Sequence, residues 1–222
     1  MPQQLQVGFE DEHLIVAWKP HGVLTSGNSG RTFVREVNRL VPNLPESGVL
    51  PCHRLDFGTS GWVVFGKHKE AARQMGLLFE SRRITKQYVA LVHGNAPTAM
   101  KLAWPVDGKS AETCVSLLAK GSIAGGGPVS FIHVEPITGR MHQIRRHLHQ
   151  AGHGVVGDDR YGIPGKHYRG KGLFLSAYGL AFDHPFNPEE VALQAPPSKK
   201  FRKLPFVHQS DFIQRFSLSS HV

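Results

Sequence analysis

HRLDFGTSGWVVFG, residues 53–66, runs from a polar turn into the apolar stretch Trp62–Phe65. The Gly58-Thr59-Ser60-Gly61 segment has turn chemistry, and the aromatic and β-branched residues after it read as a strand. Asp56 stands two places after Arg54, just ahead of that strand. Taken alone, its carboxylate reads well as an Asx-turn, bonding backbone amides at the strand entrance. It is also placed to be the centre of a reaction, so the rest of the chain has to be weighed.

Working outward, most apolar runs are strands. HLIVAWK (13–19) is one, stopped by Pro20 and Gly22. Ile84–Val92 alternates, with Tyr88, Ala90 and Val92 on one face and Gln87, Val89 and Leu91 on the other. Lys101–Val106, Thr113–Leu118, Val129–Val134 and Leu173–Phe182 complete the set, with a glycine loop at Gly125–Gly127. Helical spacing is confined to three places. Phe33, Val34, Val37, Leu40 and Val41 precede Pro42, and Ala71, Ala72, Met75, Leu78 and Phe79 form a second stripe. Ile144, Leu148 and Ala151 form a third, closed by Gly152, with Gly139 turning into it and Thr138 placed to cap it. Helices inserted irregularly among strands predict an α+β domain with an antiparallel or mixed sheet, and argue against a Rossmann array or a barrel.

The bulk numbers bound the function. The 222 residues, 40% apolar and 19% charged, suit a soluble globular chain, expected as a single domain over 1–222. Residues 204–222 are expected as a basic tail or a terminal helix. No run of 18 apolar residues and no signal-like N-terminus is present, and two cysteines imply no disulfide framework, so the expected home is the cytoplasm. The formal charge is +9, and the basic residues cluster. One group is Arg82, Arg83 and Lys86, and another is Lys199, Lys200, Arg202 and Lys203. The third runs from Arg140 through Arg145, Arg146 and Arg160 to Lys166, Arg169 and Lys171, against only Asp158 and Asp159. Clustered cations suit a groove that follows phosphates, so nucleic acid is the expected partner.

Several chemistries fail on spacing. Gly108-Lys109-Ser110 ends like a phosphate loop, but Ala103 stands where its first glycine belongs. No G-x-S-x-G elbow holds a serine nucleophile. His142, His149 and His153 fall near one helix face, but H-E-x-x-H is absent, so no metal is expected. A glycosidase needs two carboxylates across the bond; Glu80, Glu112, Glu135, Asp158 and Asp159 are scattered along the chain, and their spacing leaves open whether two of them meet.

Three features bear on Asp56. In TGRMHQIRRH (138–147), Arg145 follows the core-facing Ile144, and a guanidinium at a buried boundary needs an anion. Asp56 is a fitting partner, and such a pair keeps a carboxylate ionised; phosphate is the alternative. Tyr88 is either core or a platform for a flat base. Arg54 is planar and cationic, suited to the gap left when a base leaves its stack.

HRLDFGTSG, KQYVALVHG (86–94) and TGRMHQIRRHLHQAGHGVVGDDRYG (138–162) together closely resemble the RluA-type RNA pseudouridine synthases. DEHLIVAWKPHGVLT (11–25), KSAETCVSLL (109–118) and FLSAYGLAFDHP (174–185) extend the resemblance from about Phe9 to Lys203. It implies the pseudouridine synthase fold, a central mixed or antiparallel sheet with helices and loops flanking an RNA-binding cleft. By resemblance, Asp56 is the essential aspartate, Tyr88 the active-site tyrosine, Arg145 the arginine paired with the aspartate, and Arg54 the residue filling the space of the flipped base. Two departures touch other positions: Leu175-Ser176-Ala177 replaces a common Leu-His-Ala, and SGNSGRT (26–32) follows the opening strand. The S4-like domain of many members is expected to be absent.

The implied reaction breaks the N1–C1′ bond of uridine, turns the uracil and rejoins it through C5. It adds and removes nothing, so no cofactor is expected. The uridine must leave its stack, at a cost of roughly a few kcal/mol. Asp56 then either attacks C1′ or takes the 2′ proton to give a glycal. Tyr88, with an ordinary pKa of about 10, is a better stacking surface than base. Lys86, Arg140, His142, Arg146 and Arg160 are the expected RNA contacts. The partner is tRNA or rRNA, with no membrane, and the chain is expected to act as a monomer. A fold that kept RNA binding and lost catalysis, and a nucleoside or glycoside hydrolase, are the alternatives.

Overall fold

The computed structural model describes residues 5–28, 30–42, 44–46, 48–123, 127–165 and 172–218. Gly125, Gly126, Lys166, Arg169 and Lys171 lie outside the described residues. The strands are β1 Val7–Glu10, β2 Leu14–Lys19, β3 Leu50–Pro51, β4 Ser60–Gly66, β5 Ile84–His93, β6 Ala99–Leu102, β7 Thr113–Ile123, β8 Gly127–Pro136, β9 Leu175–Asp183 and β10 Glu190–Gln194. The helices are α1 Phe33–Leu40, α2 Lys69–Glu80, α3 Gln143–Gln150, α4 Lys199–Arg202, α5 Pro205–His208 and α6 Asp211–Leu218. The architecture is α+β. No helix among the described residues is long and apolar enough to cross a membrane.

The chain forms two compact units. The first comprises Met1–Thr85 and Gly179–Leu193. In it β2 lies between β1 and β4, antiparallel to both, with Trp18 opposite Trp62 and Lys19 opposite Gly61. Every residue of β4 is buried, and β2 is buried except for the half-buried Trp18; α2 packs on β4. Phe33 and Val37 of α1 and Ala71 and Met75 of α2 are each fully buried. Gly66 marks the close approach of α2 to β4: a Cβ there would stand 2.6 Å from the Ala72 nitrogen. Both helices open on a side chain that accepts an amide, Thr32 from Arg35 and His68 from Ala71.

The second unit comprises Lys86–Tyr178 and Gln194–Val222. Here β8 lies between β5 and β7, and β7 continues to β6, all antiparallel. Its core joins Val89–Val92, Phe131, Ile132, Leu148, Val155, Val156 and Phe174 with Phe201, Val207, Phe212 and Ile213 of the C-terminal helices. The segment after Pro197 is thus helical over 199–202, 205–208 and 211–218.

The main strands and three helices fall where periodicity puts them. Strand β6 ends at Leu102 rather than Val106, because Trp104-Pro105 leads into a tight turn. That turn pairs Val106 with Lys109 around Asp107 and Gly108, both at positive φ. Thr138 does not cap α3. The helix starts five residues later, and Thr138 instead bonds the Gln143 side chain and accepts from the Glu112 amide at 2.9 Å.

Candidate active site

In the first unit Asp56 lies in the irregular segment between β3 and β4, half-buried, with Leu55 buried behind it and Arg54 exposed. Arg54, like Asp56, lies outside the strands. The loop after β2 holds the Asp56 segment from the side. The Thr25 hydroxyl donates to the Leu55 carbonyl at 3.0 Å and accepts from the Leu55 amide at 3.1 Å. The Gly22 amide donates to the Phe57 carbonyl at 2.7 Å, and the Thr59 amide to the Asp56 carbonyl at 3.0 Å. Phe57 itself points outward, 58% exposed.

Beneath this loop lies a buried cation. Lys19 has no exposed surface, and its ammonium donates to the carbonyls of Pro20 and Val23 at 3.0 and 2.7 Å. Burial pushes its pKa down to about 8, opposed by the negative charges of Asp56 and Glu36. A lysine ending an otherwise apolar strand, just ahead of Pro20, is the sequence signal for this buried charge.

In the second unit Tyr88 lies on β5 opposite Val134 of β8, half-buried at the edge of the core. The pairing of Ala90 with Ile132 and Val92 with Ser130 confirms the face that Tyr88 shares with them. Lys86 is half-buried, with its ammonium 3.4 Å from the Thr138 carbonyl.

The local sequence explains how α3 presents Arg145. Gln143, Ile144, His147 and Leu148 are buried, two polar and two apolar residues at i, i+4 spacing. Gln143 donates to the Glu112 carbonyl at 2.9 Å and to the Thr113 hydroxyl at 3.0 Å, and it accepts the Arg140 amide at 3.0 Å. His147 lies 3.0 Å from the Thr113 hydroxyl and 2.8 Å from the Trp104 carbonyl. These bonds turn Arg145, Arg146 and His149 away from the core. His142, just before the helix, takes the left-handed conformation at φ 54°, a strain of order 1–3 kcal/mol for a residue other than glycine.

Arg145 is gripped by Asp158, a partner that spacing did not suggest. Nε reaches Oδ2 at 2.7 Å and Nη2 reaches Oδ1 at 2.8 Å. The Arg145 side chain is 13% exposed and that of Asp158 not at all. Asp158 Oδ1 also accepts the amides of Arg160 and Tyr161 at 3.0 and 2.9 Å. Burial alone would push this carboxyl up; the Arg145 hydrogen bonds and the two amides outweigh it and hold it below its ordinary value. Gly157 makes room for the turn, with φ +75° and no space for a Cβ, which would stand 2.2 Å from the Gly172 carbonyl oxygen.

Tyr161 gathers the cations around it. The guanidinium carbons of Arg145 and Arg160 stand 5.2 and 5.3 Å from its ring centre, and His142 Nδ1 lies 3.3 Å from its hydroxyl. An acid within a basic stretch, followed two residues later by arginine and tyrosine, was the available signal. Of the other expected RNA contacts, Arg160 is exposed, Arg140 donates to the Ser110 carbonyl at 3.2 Å, and Arg146 pairs with Asp107 at 2.7 Å. His149 and His153 of the histidine triplet diverge: His149 faces Tyr161, and His153 sits 3.1 Å from the His93 carbonyl.

The comparisons agree on one family. The sequence profile described as RNA pseudouridylate synthase matches residues 13–150. The ribosomal large subunit pseudouridine synthase C of Vibrio parahaemolyticus is 33% identical over 216 residues, 88% of this chain and 67% of that protein. Its namesake from Yersinia pestis is 32% identical over 217 residues, 87% of this chain and 66% of that protein. The chain thus spans about two thirds of the length of these relatives. Human RNA pseudouridylate synthase domain containing 1 superposes with a TM-score of 0.73 at 28% identity, covering 86% of this chain and 83% of that one. Human RNA pseudouridylate synthase domain containing 4 shares the fold, with a TM-score of 0.71 at 22% identity over 88% and 90% of the two chains. With the motif around Asp56, the Tyr88 strand and the Arg145 helix all formed, the chain belongs to the RNA pseudouridylate synthase family, isomerases that convert uridine to pseudouridine in RNA.

Proposed function

We propose that the chain isomerises uridine in large-subunit ribosomal RNA, with Asp56 as the essential carboxylate and Tyr88 and Arg145 as the other active-site residues. The RNA is inferred from the relatives, which are named for the large ribosomal subunit. The observation that carries the catalytic assignment is the setting of Asp56: a half-buried carboxylate on a backbone bonded at its own carbonyl and at both neighbours. A group held this way meets an extruded nucleotide without reorganising.

The remaining roles follow from position. Tyr88 offers a half-exposed ring to the uracil, a stacking role that needs no change in its ionisation. Arg145, fixed by Asp158, supplies a stationary positive charge for the substrate or the reacting carboxylate. Arg54, exposed two residues before Asp56, fills the gap in the RNA stack. Lys86, Arg140, His142, Arg146 and Arg160 contact phosphates. The chain works in the cytoplasm, in keeping with its two unpaired cysteines.

The test is tritium release from transcribed large-subunit rRNA and tRNA carrying 5-tritiated uridine. The expected result is release from the rRNA by the wild type and none by Asp56→Asn. Release from tRNA alone overturns the choice of RNA. Release that survives Asp56→Asn overturns the role of the carboxylate, and free uracil among the products overturns isomerisation in favour of hydrolysis.

A further inference from the structure

Thr25 lies outside every chemical role assigned above, yet it is 3% exposed and its hydroxyl satisfies both backbone groups of Leu55, the residue before Asp56. A side chain that bonds both the N–H and the C=O of one residue stands in for a neighbouring strand. Among the described residues no strand reaches this point: β3 ends at Pro51 and β4 begins at Ser60. Gly22, three residues earlier in the same loop, holds the carbonyl of Phe57 on the other side. The two contacts bracket Asp56.

The loop that makes these contacts is itself anchored. The Leu24 carbonyl accepts the Phe33 amide at 2.8 Å and the Thr25 carbonyl accepts the Val34 amide at 3.1 Å, tying it to the first turn of α1. Lys19 holds the Pro20 and Val23 carbonyls from below. Rigid elements on two sides therefore fix the Thr25 hydroxyl, and the hydroxyl fixes Leu55.

We propose that Thr25 is a positioning residue for Asp56, setting the backbone from which the carboxylate reaches the ribose. The proposal rests on the functional reading above. Thr25 does not touch RNA in this account, and it acts only through Leu55. Removing its hydroxyl leaves a buried amide and a buried carbonyl without their partner. The segment must then move to find water or another bond, and a displacement of about 1 Å at a catalytic group costs on the order of a hundredfold in rate.

The variants are Thr25→Val, which keeps the shape and loses the hydroxyl, and Thr25→Ser, which keeps the hydroxyl. Each is assayed for single-turnover rate and for RNA affinity, at a temperature where circular dichroism shows it folded. The expected result is a rate loss of about 10- to 100-fold for Thr25→Val with affinity little changed, and near-complete recovery in Thr25→Ser. A wild-type rate in folded Thr25→Val overturns the proposal, and so does an equal loss of rate and affinity, which would mark general disruption. Hydrogen exchange supplies a readout that needs no substrate. The Leu55 amide is expected to be protected in the wild type and Thr25→Ser and to exchange faster in Thr25→Val. Equal protection in all three overturns the proposal even if the RNA assay finds no activity in the wild type, a result that would separately sink the functional reading.

Discussion

Arg145 and Asp158 form a two-pronged ion pair, Nε to Oδ2 at 2.7 Å and Nη2 to Oδ1 at 2.8 Å, thirteen residues apart in the chain. Its geometry matches a planar fork to a planar carboxylate, which a lysine would not reproduce. A guanidinium held this way keeps its direction whether or not RNA is present.

Breaking this pair should be felt in both stability and rate. Because the Asp158 side chain is wholly buried, Asp158→Ala should cost about 3–5 kcal/mol. Urea denaturation measures that loss, and the tritium assay should fall with it. Asp158 is held below its ordinary value when folded. Its contribution is therefore present above the unfolded pKa of about 4 and is lost as pH falls through the folded value. Acid titration of stability should show a shallower decline in Asp158→Asn than in the wild type; identical declines would contradict the assignment.

Lys19 predicts an effect of the same sense in the alkaline range. It releases its proton at about 8 when folded, against 10.5 when unfolded. Between those values the unfolded chain binds the extra proton, so stability rises with pH, by at most about 3 kcal/mol. Lys19→Met should flatten that rise. Lys200, also pushed down to about 8 by burial, remains in both proteins, so their difference isolates Lys19. Parallel stability curves from pH 7.5 to 10.5 would rule this out.

The two outer arginines should behave differently toward RNA. Arg160 is exposed beside Tyr161, and Arg160→Ala should weaken binding alike across RNA sequences and lower the salt slope by about one. Arg146 is tied to Asp107 on the surface, which raises its pKa through their hydrogen bond. Asp107→Asn should therefore tighten RNA binding by freeing that cation. Filter binding across a salt series measures both, and unchanged slopes would remove these residues from the interface.

Gly157→Ala should be among the most damaging single-methyl changes. The residue sits at φ +75°, and the added carbon would stand 2.2 Å from the Gly172 oxygen. The conformational strain alone is on the order of 1–3 kcal/mol, and the turn carrying Asp158 must shift. Thermal unfolding and the tritium assay should both register it. Gly165→Ala has a similar φ of +77°, but no atom of the described residues would stand within 4 Å of the added carbon, and it should lose less.

The legible parts of this chain are those with strong local signals. Val89, Ala90, Leu91 and Val92 declare a buried strand, and Phe33, Val37 and the α2 stripe declare their helices. The motif around Asp56 was legible as a family resemblance rather than as physics, since an aspartate before a strand caps turns as readily as it reacts. Asp158 as a partner of Arg145 was not legible. That Asp158 holds Arg145 depends on a turn built by Gly157 and on the Val155–Val156 segment joining β5. Thr138 is not the cap its spacing predicts, because the buried Gln143 side chain accepts its hydroxyl in a different network. Short β1, β3 and β10 lack the length for a clear pattern, and their placement comes from the neighbours they pair with.

The first unit is assembled from two distant stretches of chain, Met1–Thr85 and Gly179–Leu193. During synthesis its opening stretch emerges early but waits for nearly a hundred intervening residues before its last strands are made. The aspartate loop therefore leaves the ribosome long before the unit around it can close. A nascent chain arrested ahead of Gly179 should be readily digested in that stretch and become resistant once Leu193 is out, which pulse proteolysis of stalled chains would reveal.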